Sequence, residues 1–189
     1  MWLLVMISFL LLGGFLLLSA LRFGVPDMVS DTFYQLQNTT GSEVLGGKVK
    51  RNFGWVFSVI MVIVAFLMLM ALLDTEQGVS FFAFIGCVGL AFVGCAPNYY
   101  DKEAYPVHKC AAIIAAIGCV GWCLSVCWWV TLILAACYLA YLLWIDASNF
   151  ANEMWHVKNI SYKFHPWYWA EVTAFTDVFV TYAVLMLTI

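Results

Sequence analysis

The sequence predicts an all-α polytopic membrane bundle of six transmembrane helices, with both termini on the non-cytoplasmic side. Three observations lead there. Of 189 residues, 65% are hydrophobic and 10% charged, with nine Trp, fifteen Phe and a mean hydropathy of +0.96, whereas soluble domains carry about 25% charged residues. The apolar residues fall in blocks of the roughly 20 residues that a spanning helix needs. The eight basic residues, Arg22, Lys48, Lys50, Arg51, Lys102, Lys109, Lys158 and Lys163, all lie in or beside the first, third and fifth connections, which the positive-inside rule makes cytoplasmic. Merging or adding one span scatters these charges over both faces, so charge and helix count check each other. Residues 1–189 form a single transmembrane domain.

The first span, 2–21, has no basic residue before it and no small-x-small cleavage site up to Gly24. It reads as a retained helix rather than a signal peptide. The loop over about 23–54 is the longest polar segment; its "NTTGSEVLGGKVKR" stretch reads as flexible, with the basic cluster anchoring to headgroups. The sequons at Asn38 and Asn159 carry no meaning on cytoplasmic loops. Spans at 55–73 and 79–97 are joined by the short turn "DTEQG". The apolar stretch 107–145 is about twice the length of one span. It divides into spans at 107–124 and 129–145 around a tight turn near Ser125 to Trp129. The last span, 167–189, starts after Pro166, a residue suited to a helix start. Gly and Ala in "FIGCVGLAFVGCA" and "AAIIAAIGCVG" predict close packing of the third and fourth spans. All seven Cys lie in apolar runs and read as reduced packing residues.

The net charge of −3 excludes nucleic acid as a partner, because phosphate binding needs clustered Lys and Arg. No Gly-x-Ser-x-Gly or phosphate loop occurs. Chemistry is therefore sought among the ionisable residues in and beside the spans. Asp177 lies about ten residues into the last span and shares a helix face with Thr173 and Thr181. Such an acid serves as a proton or cation relay, or as a hydrogen-bonded structural group. Glu171 lies near the start of the same span, where an acid complements the helix dipole. In "IDASNFANEMWH" the residues Asp146, Asn149, Asn152, Glu153 and His156 form one face of an amphipathic extension of the fifth helix.

The three His, His108, His156 and His165, all map to cytoplasmic helix ends. Glu153 and His156 stand at the i, i+3 spacing that aims both side chains at one ion. With Asp31 they make a set that suits Zn or Fe, with His108, His156 and His165 as ligands. The plainer alternative is a stripe that meets water and three His satisfied separately.

The segment "VPDMVSDTFYQL", with Pro26, Ser30, Asp31, Thr32, Phe33 and Tyr34, resembles a Pro-Ser-x-Ser-x-Tyr-Tyr-like motif after helix one in a broad group of uncharacterised bacterial six-helix membrane proteins. "FVGCAPNYY", "VHKCAAIIAA" with His108, and Glu171 in the last helix follow the same order of landmarks; "KVKRNFGW" stands where that group has an Arg-Asp-aromatic motif. The resemblance implies six spans and a bacterial inner membrane. A more distant similarity is to membrane hydrolases of the alkaline ceramidase and adiponectin receptor type, which implies a zinc site with Ser30, Asp31 and the three His as its counterparts. The His-x-x-x-His pair of those enzymes is absent from the last span.

The leading functional expectation is a polar pocket on the cytoplasmic rim that binds a lipid headgroup, a small ligand or a membrane partner protein. Its candidate residues are Ser30, Asp31, Tyr34, His108, Asp146, Asn149, Glu153, His156, His165 and Glu171. Two alternatives stand beside it: a metal-dependent intramembrane hydrolase of lipids, and a small homo-oligomeric transporter or channel using Asp177.

Overall fold

A computed structural model describes residues 2–37, 53–154 and 164–188, except for the side chains of 147–154. All regular structure among them is helical: α1 (Trp2–Phe23), α2 (Thr32–Gln37) preceded by a 3₁₀ turn over Val29–Asp31, α3 (Gly54–Asp74), α4 (Ser80–Cys95), α5 (Ala104–Met154) and α6 (Pro166–Thr188). Four of these, α1, α3, α5 and α6, are long and apolar enough to cross a membrane. A helix is what lipid demands, because it satisfies each backbone N–H and C=O within the segment.

Connections close where the sequence supplies the means. Gly24, at φ +87°, ends α1 with its N–H on the Ala20 carbonyl at 2.9 Å, the left-handed helix stop that glycine adopts without strain. α4 is shorter than the expected 79–97 block. Val79 is extended and Ala96 leaves the helix at φ −118°, ψ 57°, because the residue before a proline, here Pro97, is pushed out of the helical region.

The long apolar stretch, α5, consists of two helical arms joined at Cys127, which departs from helical angles (φ −147°, ψ 67°). Its partners show that the chain reverses there. Along the first arm, His108 and Glu171 line the same cavity, and Cys123 lies beside Asp177. The second arm runs back along α6: Thr131 bonds Asp177 at 3.1 Å, Tyr138 donates to the Pro166 carbonyl at 3.0 Å, and Tyr141 donates to the Phe164 carbonyl. The reversal is pinned to the 75–79 turn. Val79 N–H donates to Ser125 Oγ at 3.0 Å, and the Trp122 indole donates to the Gln77 carbonyl at 3.3 Å. This end of the bundle is the turn end. The opposite end, carrying residues 24–37, 96–103 and 164–166, is the rim.

The expected close contact between the third and fourth helices is present. A Cβ on Gly86 would stand 2.6 Å from the Cys119 amide nitrogen, and one on Gly89 the same distance from that of Ala115. α4 and the first arm of α5 therefore touch backbone to backbone. At the turn end Trp2 stacks on Tyr182 with centroids 5.9 Å apart, and Phe9 meets Phe179 edge-on at 5.0 Å, so α1 and α6 run antiparallel. All seven cysteines are free; Cys123 and Cys127 are buried packing residues.

Gly89→Leu forces a side chain into backbone it cannot displace and is expected to cost at least the 1–3 kcal/mol typical of overpacking. Gly13→Ala, where nothing lies within 4 Å, is expected to be neutral. Thermal unfolding of both variants in one detergent checks the pair.

Candidate functional site

At the rim, the segment after α1 folds inward. Phe33 seats its ring over Gly54, where a Cβ would come within 2.6 Å of it, and meets Phe57 edge-on. The 3₁₀ turn at Val29–Asp31 opens this segment and leaves backbone N–H groups without helical partners. Two carboxyls take them. Met28 N–H donates to Asp31 Oδ2 at 3.0 Å, and Val29 N–H donates to Glu171 Oε2 at 2.7 Å. Glu171 thus caps not its own helix but a segment 142 residues earlier.

The network continues through the 96–103 connection. Tyr99 donates its hydroxyl to Asp31 Oδ1. Tyr34 donates to Asn98 Oδ1 and accepts from Tyr100 N–H, both at 3.0 Å. Burial is the largest effect on each of these groups. It raises the Asp31 carboxyl above the usual range, outweighing the bonds from Tyr99 and Met28 that favour the ionised form. It pushes the Tyr34 hydroxyl up to about 12 and raises that of Tyr99 as well, with the Asp31 bond adding to the latter.

His108 is 8% exposed, with its ring 5.1 Å from that of Tyr99 and Nδ1 2.8 Å from the Ala96 carbonyl. A carbonyl only accepts, so Nδ1 carries the hydrogen and the neutral ring keeps its lone pair on Nε2.

These groups form the mouth of a cavity of about 480 Å³. Ser30, Tyr99, His108 and Glu171 line the mouth; Met61, Leu90, Ala115 and Phe175 line the body; Met68, Cys119 and Val178 lie deepest. These last three form the floor; one turn further on each helix, Leu72, Trp122 and Tyr182 are almost completely buried and lie outside the lining. His108 and Cys119 are separated by about 16 Å of helix rise. On the flank between the first arm of α5 and α6 the lining includes the small side chains Ala112, Ala116 and Ala174 beside Ile113. Ala112 and Ala116 are exposed, so the cavity opens sideways to the outside of the bundle.

The structure sorts the candidates by place. Ser30, His108 and Glu171 line the cavity, while Asp31 and Tyr34 stand behind it in the same network. His165 pairs with Asp27, Nδ1 to Oδ1 at 2.9 Å. Asp146 is exposed on the second arm. The side chains of Asn149, Asn152 and Glu153, the residues His156, Asn159, Lys158 and Lys163, and the 38–52 stretch with Asn38, Lys48, Lys50 and Arg51 lie outside the described residues. Among the described residues no group of three or more His, Cys, Asp or Glu stands close enough to hold a metal ion. Away from the rim, Asp177 is 3% exposed and accepts from Thr131 at 3.1 Å and Thr181 at 3.4 Å. Sequence reasoning missed Tyr99 and Tyr105 as cavity residues; the Tyr99–Tyr100 pair after Pro97 and the single Tyr before Pro106 were the available signal.

Comparisons with protein-family models, with curated proteins and with solved structures found no match for this chain.

Tyr34→Phe leaves Asn98 Oδ1 and Tyr100 N–H without their partner and is expected to cost about 1–3 kcal/mol in thermal unfolding. In the wild type Tyr34 keeps its proton to about pH 12, whereas the unfolded residue loses it near 10. Between those values the folded state binds more protons, so stability falls as pH rises through the window. The fall is expected to be shallower in Tyr34→Phe, as unfolding midpoints measured on both sides of pH 10 will show.

Proposed function

We propose that this chain is an integral membrane protein that holds a single-chain amphiphile, with the tail in the apolar cavity and the headgroup at the polar mouth. The observation that carries the reading is the polarity gradient of one cavity, from Ser30, His108 and Glu171 at the rim to Met68, Cys119 and Val178 beneath. Its volume of about 480 Å³ lies within the range of roughly 300–1,000 Å³ usual for small-molecule sites. Apolar walls with a few convergent polar groups suit a molecule that is apolar along most of its length. The exposed small residues on the flank offer a sideways route from the bilayer.

In this reading the chain crosses the membrane six times, because the reversal at Cys127 makes two spans of α5. α4, of 16 residues, covers about 24 Å by helix rise, and the bilayer adjusts to a short helix at modest cost. The rim faces the cytoplasm: Arg22, Lys102 and Lys109 lie toward it, while Asp74 and Glu76 lie at the turn end. The hydrolase reading finds less support, since His108 and His165 are engaged separately. The transporter reading finds less support too, since Asp177 is held by two hydroxyls within the bundle.

Lipid extracted from protein purified in mild detergent is expected to contain a stoichiometric single-chain species, identified by mass spectrometry. Ala116→Trp, which fills the flank from an exposed position, is expected to lose it while keeping the wild-type unfolding midpoint. Equal lipid content in the two proteins would falsify the reading.

Sidedness is checked separately with an impermeant maleimide on bacterial spheroplasts. A cysteine placed at Glu76 is expected to label in intact spheroplasts, and one at Asp101 only after lysis. The reverse pattern overturns the orientation and leaves the cavity reading standing.

A further inference from the structure

The mouth of the cavity also carries information about which headgroup it takes, an inference that rests on the amphiphile reading and deepens it. We propose that the ligand is a single-chain lipid of about a dozen carbons whose headgroup donates hydrogen bonds, an alcohol or an ammonium rather than an anion.

The length follows from the walls. An extended chain advances about 3.6 Å over three backbone bonds, so the roughly 16 Å between His108 and Cys119 holds about 13 bonds. The floor lies at Met68, Cys119 and Val178, beyond which no described residue on these helices lines the cavity. Longer tails meet this floor or turn out through the flank.

The headgroup follows from which polar atoms at the mouth are already engaged. His108 is more than nine-tenths buried and its Nδ1–H is taken by the Ala96 carbonyl. The ring therefore meets the cavity with the Nε2 lone pair, which has no hydrogen-bond partner among the described residues. Glu171 gives Oε2 to Val29 N–H and leaves its other carboxyl oxygen without a partner among the described residues. The Tyr99 hydroxyl is committed to Asp31. Two acceptors with spare capacity thus converge on the mouth, with the Ser30 hydroxyl, 6% exposed, beside them. Lys109 is on the same wall but exposed, with its ammonium 5.8 Å from the centroid of the Tyr105 ring. Acceptors that open on an apolar cavity and lack a partner favour a donor, so a donor headgroup is favoured, and an anion faces the Glu171 carboxyl with the neutral Ser30 hydroxyl as the buried side-chain donor in return.

The test uses the full chain in lipid nanodiscs and competition against radiolabelled dodecanol. Unlabelled dodecanol or dodecylamine is expected to compete about tenfold or more better than dodecane-1-sulfonate, the equivalent of one hydrogen bond to a charged group. Either donor, alcohol or amine, supports the proposal, and their order tells which it is. Hexadecanol is expected to compete no better than dodecanol. Glu171→Gln turns an acceptor into a donor, and His108→Phe removes an acceptor while keeping a ring against Tyr99; each is expected to bring alcohol and sulfonate to within about threefold of each other. Should His108→Phe fail to fold, Glu171→Gln alone carries the comparison.

Sulfonate competing as well as dodecanol in the wild type overturns the headgroup assignment, and hexadecanol competing better overturns the length. Dodecanol failing to bind overturns the whole inference. The amphiphile reading is decided apart from all three, by the lipid that co-purifies with wild type and not with Ala116→Trp.

Discussion

The hydrogen bond from Val29 N–H to the Glu171 carboxyl is the contact on which the rim depends. A carboxyl facing the interior of a lipid-embedded bundle requires donors, and a helical turn that begins in the same place has N–H groups to give. Each satisfies the other, and the first connection is thereby fixed to the last helix. Everything further along the rim hangs from that anchor. With Val29 held, Asp31 caps Met28 and receives Tyr99; Tyr99 lies against His108; His108 closes on Ala96. The mouth is one chain of contacts drawn from four stretches of sequence.

Small residues have opposite consequences on two faces of the same helix. On the α4 side, Gly86, Gly89 and Gly118 let two backbones touch. On the α6 side, Ala112 and Ala116 face Ala174 across a space that remains open. The difference lies in what else holds the helices. α4 is drawn to the first arm along most of its length and at both ends, through Val79 with Ser125 and Ala96 with His108. α6 is held at its ends and from its other sides, by Val29, by Trp2 and Phe9 of α1, and by Thr131 and Tyr138 of the second arm. The first arm meets α6 below the cavity, where Cys123 bonds Asp177, and the cavity occupies the stretch between that contact and the rim.

Composition, apolar blocks and the Gly/Ala pattern made the helical bundle and the α4 to α5 contact legible, since each rests on local sequence. The reversal near Ser125 to Trp129 was legible from length alone, though no proline or glycine marks Cys127. Among site residues Ser30, His108 and Glu171 stood out because an ionisable or hydroxyl group at the edge of an apolar block is costly without a purpose. Tyr99 did not, because tyrosines at a membrane interface are expected in any case. Thr181 could be paired with Asp177 by helix spacing, whereas Thr131 required the chain to fold back first. Glu171 was placed near a helix start, which suggested a cap on its own helix; its true partner, Val29, lies 142 residues away, beyond the reach of any local rule.

The route into the cavity follows from the same anchor. Because the Val29–Asp31 turn is fixed across the rim by Glu171, Tyr99 and the Phe33 packing on Gly54, access from the aqueous side passes through the most extensively bonded part of the molecule. The flank between the first arm and α6 carries the small side chains of Ala112, Ala116 and Ala174 beside Ile113, above the Cys123–Asp177 contact. In the proposed reading, an amphiphile already dissolved in the bilayer would reach that flank with its tail parallel to the helices and its headgroup at the height of His108. Sideways entry therefore requires no opening of the rim, and the network that shapes the mouth can stay closed while the site fills.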